Sequence, residues 1–390
     1  HALHDRLRGA LVVNVYDINS KTYLIKLAVP PRRTDHAASL LKDPLEQTEI
    51  TDLKDFNNTN VDDDDDEDEL NDKSKESQDL AKVSSSSSNT QAWQKVLLII
   101  ESGARIHTTN FARDKNMIPS GFAVKIRKHI RTKRLESITQ VGTDRLLDLA
   151  FAAAGQVVAH LILEFYAAGN IILTDANYQI LALLRQYKLE DRNVAVKEVY
   201  PIRATRQSKS YQVEDIKSII QAGDPKAQAR KYLMPQFEYG PQLFEHALCI
   251  AGFSSSVTMD QIQAQLESTA QSLFETFQTV NKLLQGEAVP EMPLRGYLFQ
   301  LQEKKAPSKP EAKVKYDDFS PFLLAQFKAE SKSFKEFHSF DDAVDEYFAD
   351  LESRLEEESL AKKEEAVMKK VDKLKNELDG RLADLQKQQE

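Results

Sequence analysis

Leu11-Val-Val-Asn-Val-Tyr-Asp17 and Thr22-Tyr-Leu-Ile-Lys-Leu27 decide the fold class. Both stretches are dense in β-branched and aromatic residues, and Asp17-Ile-Asn-Ser-Lys21 between them has the composition of a turn. The natural reading is a β-hairpin. Strand character returns at Val96-Leu-Leu-Ile-Ile100 and at residues 146–151, 157–166 and 170–174, after which Asp175-Ala-Asn-Tyr178 turns the chain into 180–184. One helix interrupts this series. Residues 120–134 open at Pro119-Ser120 and repeat Phe122, Ile126 and Ile130 four apart on one face. Residues 1–210 are therefore expected to form an α+β domain around a mainly antiparallel sheet.

Between the hairpin and the next strand the pattern breaks down. Residues 30–95 hold an unbroken Asp run at 62–66 and an unbroken Ser run at 84–88. Such composition buries too little apolar surface to offset chain entropy, so a disordered insertion is expected, placed between adjacent strands where long loops cost little. From residue 213 the pattern turns helical, with segments 213–222, 225–234, 241–251 and 259–285 and a loop at 307–311, giving a helical domain over 211–335. Residues 336–390 are rich in Glu, Lys, Leu and Ala. There Val367, Val371, Leu374, Leu378, Leu382 and Leu385 form a heptad seam with one irregular step, as in one arm of a coiled coil. His1-Ala-Leu-His-Asp5 reads as the end of a helix already under way.

Charge is unevenly shared. The chain carries −9 overall, but residues 43–79 hold 16 acidic and 3 basic side chains, or −13, which leaves +4 for the remainder. Residues 96–240 count 21 Lys and Arg against 14 Asp and Glu. A mildly basic folded part suits a polyanionic partner. Cys249 is the lone cysteine and sits in an apolar stretch, so it reads as a core residue, with no disulfide framework and no cysteine zinc site. The 390 residues contain no run of 18 apolar ones, so no membrane partner is expected. No serine-hydrolase elbow, phosphate-binding loop, zinc-protease helix or dinucleotide fingerprint is present, and no cofactor is called for.

Four segments are candidates for binding. Residues 125–134 place Lys125, Arg127, Lys128, Arg131, Lys133 and Arg134 on the outside of the expected helix, where cations suit a phosphate backbone. A solvated helix face accounts for the same charges. Glu101-Ser-Gly-Ala-Arg-Ile-His-Thr-Thr109 puts Arg105 and His107 on one strand face, which a solvent-facing polar strand also explains. Val141-Gly-Thr-Asp-Arg-Leu146 sets Asp144 and Arg145 at the mouth of a strand, and a turn with a local ion pair gives the same pattern. Tyr239-Gly240-Pro241 separates two helical segments, either as a phosphate-reading hairpin or as a plain turn.

These segments in order resemble the N-terminal region of the NFACT family of ribosome quality-control factors, in its eukaryotic NEMF-type and, more distantly, bacterial RqcH forms. The resemblance runs through Val15-Tyr-Asp17 and Thr22-Tyr-Leu24, then Glu101 to Thr109, Pro119-Ser-Gly-Phe-Ala-Val-Lys-Ile-Arg-Lys-His129 and Asp144-Arg145. It continues at Leu163-Glu-Phe-Tyr-Ala-Ala-Gly-Asn-Ile-Ile-Leu-Thr-Asp175, Tyr239-Gly-Pro-Gln-Leu-Phe-Glu-His246 and Phe340-Asp-Asp-Ala-Val-Asp-Glu-Tyr-Phe348. It implies a glycosylase-like β domain, helix-hairpin-helix elements over 211–335 and the first arm of a coiled coil over 336–390. It also implies a cytoplasmic, non-enzymatic protein that binds, as a monomer, large ribosomal subunits obstructed by peptidyl-tRNA. Such a factor binds tRNA, supports template-free Ala or Ala/Thr extension of the stalled chain and promotes recruitment of a Listerin-type ubiquitin ligase. Asp144 and Arg145 match the family's Asp-Arg pair needed for tailing, while a further family Asp would precede residue 1 and an NFACT-R domain would follow residue 390. Two other readings stand beside this one: a coiled-coil scaffold with an incidental basic surface, and a DNA glycosylase-like lyase, against which the single cysteine and the lack of an N-terminal Pro-Glu both speak.

Overall fold

The computed structural model describes residues 1–31, 93–142, 144–188, 193–202, 211–237, 239–290, 292–300, 315–329 and 333–389, with side chains up to 381 in the last helix. Residues 32–92 of the expected disordered insertion and the loop at 307–311 fall outside the described residues, while Gln94 and Lys95, expected within the insertion, already belong to a strand.

Nine antiparallel strands form the main sheet, in the order β4-β3-β2-β1-β5-β6-β7-β8-β9. They are β1 (Leu11–Asp17), β2 (Thr22–Val29), β3 (Gln94–Glu101), β4 (Arg105–Thr109), β5 (Arg134–Gln140), β6 (Leu146–Ala153), β7 (Gln156–Glu164), β8 (Asn170–Asp175) and β9 (Ile180–Leu183). The hairpin and its neighbours lie where the residue types placed them. β2 pairs with β3 from Thr22↔Glu101 through Val29↔Gln94, so the long insertion leaves and re-enters at adjacent ladder partners.

β1 and β5 meet at Leu11↔Arg134, and side chains of both halves of the sheet fill one core. Val15, Ile25 and Leu98 from one half pack in the same cluster as Leu149, Phe151, Leu161 and Leu173 from the other. The sheet is thus folded over on itself. Helix α2 (Gly121–Ile130) supplies Ala123, Ile126 and Ile130 to that core, with Phe122 half-buried edge-on to Tyr23 at 5.4 Å. The fold-over is closed at one end by two turns in backbone contact. Gly103 and Gly169 take φ of +76° and +70°, and a Cβ on Gly169 would lie 2.2 Å from the Gly103 nitrogen. A short α1 (Ala2–Leu7) caps β5, and the two-stranded pair β10 (Tyr187–Lys188) and β11 (Asn193–Val194), with the residues that follow it to 202, covers the outer face of β7–β9 with Val194 and Tyr200.

The expected helix at 120–134 is shorter than its periodicity suggested. Ser120 caps it by accepting from the Ala123 N–H, and it stops at Ile130 because the chain turns to pair with β1. Thr132 takes φ of +64°, and Val12 donates to the Lys133 carbonyl at 2.9 Å. Lys133 therefore lies in the turn and Arg134 begins β5, a strand that the helical reading of these residues hid.

Residues 211–290 are helical: α3 (Val213–Gln221), α4 (Ala229–Leu233), a 3-10 turn at Met234–Gln236, α5 (Pro241–Ile250), α6 (Met259–Gln263) and α7 (Leu266–Leu284). Phe237, Phe244, Leu273 and Phe277 anchor their core. The expectation of helices throughout 211–335 needs correction. β12 (Gly296–Gln300) pairs with both β13 (Tyr316–Ser320) and β14 (Phe334–Phe337), and α8 (Ala325–Ala329) packs beside them. Short apolar runs such as Gly-Tyr-Leu-Phe-Gln carry no period that separates strand from helix. The chain then enters α9 (Phe340–Gln389), a helix of 50 residues. Its first four turns pack on β4 and on the small sheet, and from Glu356 its described side chains are exposed, including Val367, Val371, Leu374 and Leu378 of the heptad seam; the side chains of Leu382 and Leu385 lie outside the described set. Among the described residues no helix is long and apolar enough to cross a membrane.

Candidate nucleic-acid interface

Helix α2 turns Ala123, Ile126 and Ile130 inward, which leaves Lys125, Lys128 and Arg131 exposed. At 1.5 Å and 100° per residue these three cations, with exposed Val124, fall within an arc of about 120°. Arg127 is turned aside. Its Nε donates to the Val15 carbonyl at 2.5 Å and its guanidinium lies 5.6 Å from the Tyr16 ring centre. Lys115, from the loop before α2, sits 4.1 Å over the same ring, so loop and helix share one cationic surface. Burial lowers the pKa of His129 and the nearby Lys128 and Lys125 lower it further, which keeps the imidazole neutral at pH 7. Lys133 and Arg134, expected on this helix, lie beyond it, where Arg134 donates to the Gly9 carbonyl at 3.1 Å.

The second pair belongs to the interior. Arg105 and His107 do share a strand face, but they are 5% and 1% exposed beneath the first turns of α9, so they are withdrawn as RNA contacts. Arg105 pairs with Glu101 at 2.8 Å and with Glu352, and lies 4.3 Å over the Phe348 ring. His107 sits 3.4 Å from Asp345 and stacks on Phe348. Arg113 reaches Glu352 at 2.9 Å, and Asp341 accepts from the Thr108 N–H at 2.9 Å and from Arg6 at 3.1 Å. Burial, then the charges of Arg105 and Arg113, lower the His107 pKa to about 3, so the ring is neutral in this joint. No local pattern announces it, because Asp341, Asp345 and Glu352 lie more than 230 residues away along the chain.

Asp144 and Arg145 occupy the connection from β5 to β6. The Asp144 carbonyl accepts from Gln140 at 3.1 Å and the Arg145 carbonyl accepts from the Phe165 N–H at 2.8 Å, which leaves the Arg145 side chain exposed. Glu164 lies one strand away, paired in register with Leu146 and 1% exposed. Tyr187 and Tyr200, the latter at 2.8 Å, donate to its Oε1. Burial first, then Glu164, raises both phenols well above their ordinary value, so they remain donors at any physiological pH. This knot fixes the strand end that carries the Asp-Arg turn.

Contacts between neighbouring turns link these features into one rim. Asn116 donates to the Asp17 carbonyl at 3.0 Å, Ser102 to the Lys21 carbonyl at 3.0 Å, Gly103 abuts Gly169, and Phe165 reaches Arg145. Tyr239 and Gly240 stand apart from it. The Tyr239 ring stacks on Phe277 at 4.3 Å and its hydroxyl donates to Asn281 at 3.0 Å, so its phenol is engaged by the helical core and is withdrawn as an RNA contact. Gly240 is exposed at the start of α5 with φ of −63°, a conformation open to any residue.

The family described as NFACT N-terminal and middle domains matches residues 87–390. The ribosome quality control complex subunit NEMF of Mus musculus is 36% identical over 304 residues, which is 76% of this chain and 28% of that protein. The ribosome quality control complex subunit 2 of Schizosaccharomyces pombe is 28% identical over 309 residues, 67% of this chain and 30% of that protein. A solved fibrinogen-binding protein from Staphylococcus aureus aligns over 89% of this chain and 94% of its own at 17% identity, with a TM-score of 0.49. The chain thus spans less than a third of the length of these two quality-control relatives. With a match of that extent over collinear residues, the chain belongs to the NFACT family and carries its N-terminal and middle domains.

Proposed function

We propose that this chain is the RNA-engaging part of a ribosome quality-control factor that acts by binding and carries out no hydrolysis. It holds large ribosomal subunits obstructed by peptidyl-tRNA, with Lys125, Lys128 and Arg131 on phosphates and Asp144–Arg145 at the tRNA. The observation that carries this reading is the exposed cationic face of α2 within a family match running from residue 87 to 390. Arg145 offers a planar fork to a phosphate or a base edge, and Asp144 accepts from a 2′-OH or a base amine. The helical elements around 211–290 act as helix-hairpin-helix supports. In the longer protein the assembly supports Ala/Thr extension of the stalled chain and recruitment of a Listerin-type ligase in the cytoplasm.

The exposed apolar seam of α9 favours a second role alongside RNA binding, as one arm of a coiled coil for a protein partner. Both are tested by sedimenting the chain with large subunits, either empty or carrying peptidyl-tRNA, across a salt series. Preference for the tRNA-bearing subunit, weakened by salt, supports the reading. Replacing Lys125, Lys128 and Arg131 with Ala is expected to reduce the slope of log affinity against log salt by about 2 to 3. Unchanged salt dependence in that variant would leave the scaffold role alone standing.

A further inference from the structure

Met117 and Ile118 are 91% and 84% exposed, the most solvent-facing large apolar side chains in the described residues. Single exposed apolar residues are ordinary on a protein surface. These two differ in being adjacent and in being held out by a clamp on both sides. Asp17, 3% exposed at the end of β1, accepts from the Asn116 side chain at 3.0 Å and from the Ser120 N–H at 3.1 Å through the same Oδ2. The Asp17 carbonyl also takes the Asn116 N–H at 3.0 Å. Pro119, with its fixed φ, completes the turn. The tip is therefore a rigid projection from the sheet.

Its surroundings are cationic. From Asn110 to Arg134 the chain carries eight Lys or Arg and one acid, Asp114. Lys115 and Arg127 flank Tyr16 beside the clamp, and exposed Val124 lies on the face of α2 that bears Lys125, Lys128 and Arg131. Apolar projections set among cations match a ligand that presents flat apolar faces a short step from anionic groups, and unpaired nucleotides have that form. Met, Ile and Pro are residue types that wedge against unstacked bases in nucleic-acid complexes, and RNA is read mainly where its bases are splayed out.

We propose that Met117 and Ile118 form an apolar wedge that packs against an unpaired RNA base while Lys125, Lys128 and Arg131 hold the neighbouring phosphates. This rests on the RNA-binding reading above and adds to it a preference for looped over fully paired RNA.

The test compares the full chain with two variants on two RNAs, a hairpin with an open loop and a blunt duplex of equal phosphate number, by fluorescence anisotropy at several salt concentrations. The wild-type chain is expected to prefer the hairpin. Met117→Ser with Ile118→Ser is expected to lose about tenfold on the hairpin and nothing on the duplex, with an unchanged salt slope and unfolding midpoint. Lys125→Ala with Lys128→Ala and Arg131→Ala is expected to weaken both RNAs and flatten the slope. If the serine variant keeps full hairpin affinity, or loses equally on both RNAs, the wedge is overturned while the cationic face stands. If the wild-type chain binds neither RNA in a salt-dependent way, the RNA-binding reading falls and the wedge with it.

Discussion

Gly169 leaves no room for a side chain. Its positive φ already disfavours any L-residue, and an added Cβ would strike the Gly103 backbone, which cannot rotate away. Gly169→Ala is expected to cost about 3 kcal/mol in denaturant unfolding, because the strain and the clash act together. Gly121 provides the contrast. It begins α2 with nothing within 4 Å of the site of a Cβ, so Gly121→Ala is expected to add about 0.5 kcal/mol through helix propensity. A result in which both changes were neutral would mean that the two turns do not touch in solution. Glycines in the sequence look alike until their neighbours are known. Gly103 and Gly169 stand 66 positions apart, and nothing local marks either as half of a contact.

At the scale of elements, the joint between β4 and α9 makes stability depend on pH. The folded value of His107, about 3, lies below its ordinary 6.5, so the unfolded chain takes up this proton first as pH falls. The stabilisation is complete above about pH 6.5 and declines from there toward pH 3, with about 2 kcal/mol lost by pH 5. His246, lowered to about 4 by burial, contributes in the same direction. Comparing the chain with His107→Leu isolates one share: the loss in unfolding free energy between pH 7 and pH 5 is expected to shrink by about 2 kcal/mol in the variant. An unchanged difference would show that His107 titrates normally and that α9 does not cover it.

The same joint shows what the residue pattern conveyed and what it did not. Alternation put Arg105 and His107 on one face of a strand, and they are on one face. Whether that face meets water or an acidic helix is a question of tertiary pairing, and strand periodicity is identical in the two cases. The strands β1, β2, β3 and β6 to β9 were legible because long β-branched runs lie between turn residues. β5 was not, since Arg134-Leu-Glu-Ser-Ile-Thr-Gln140 follows a helical repeat without a breaker, and β13, with Tyr316-Asp-Asp-Phe-Ser320, has too little apolar content to stand out. The cations of α2 were legible as a group, but the end of the helix was not, because it is set by the backbone pairing of Lys133 with Val12.

Across the whole molecule, α9 runs out of the folded body. From Glu356 onward its described side chains are exposed, and some 34 residues at 1.5 Å each extend about 50 Å. Changing Val371, Leu374 and Leu378 together to Ser is therefore expected to shift the unfolding free energy of the body by less than about 0.5 kcal/mol. A loss of several kcal/mol would place that stretch of helix against the body instead. The same variant is expected to weaken binding of any helical partner that pairs with this seam.

The ladder pair Val29↔Gln94 has a use in protein engineering. Because neighbouring strands stand about 4.8 Å apart, the two chain ends at this ladder pair lie within reach of a tight turn. Replacing residues 30–93 with Asn-Gly, the two-residue turn suited to antiparallel strands, is expected to keep the fold and raise its stability by about 3 kcal/mol through the shorter closure. Failure of that shortened chain to fold would show that the sheet draws on the inserted segment. Success would make the position a ready-made socket, into which a fluorescent reporter with neighbouring termini could be spliced without a tag at either end of the chain.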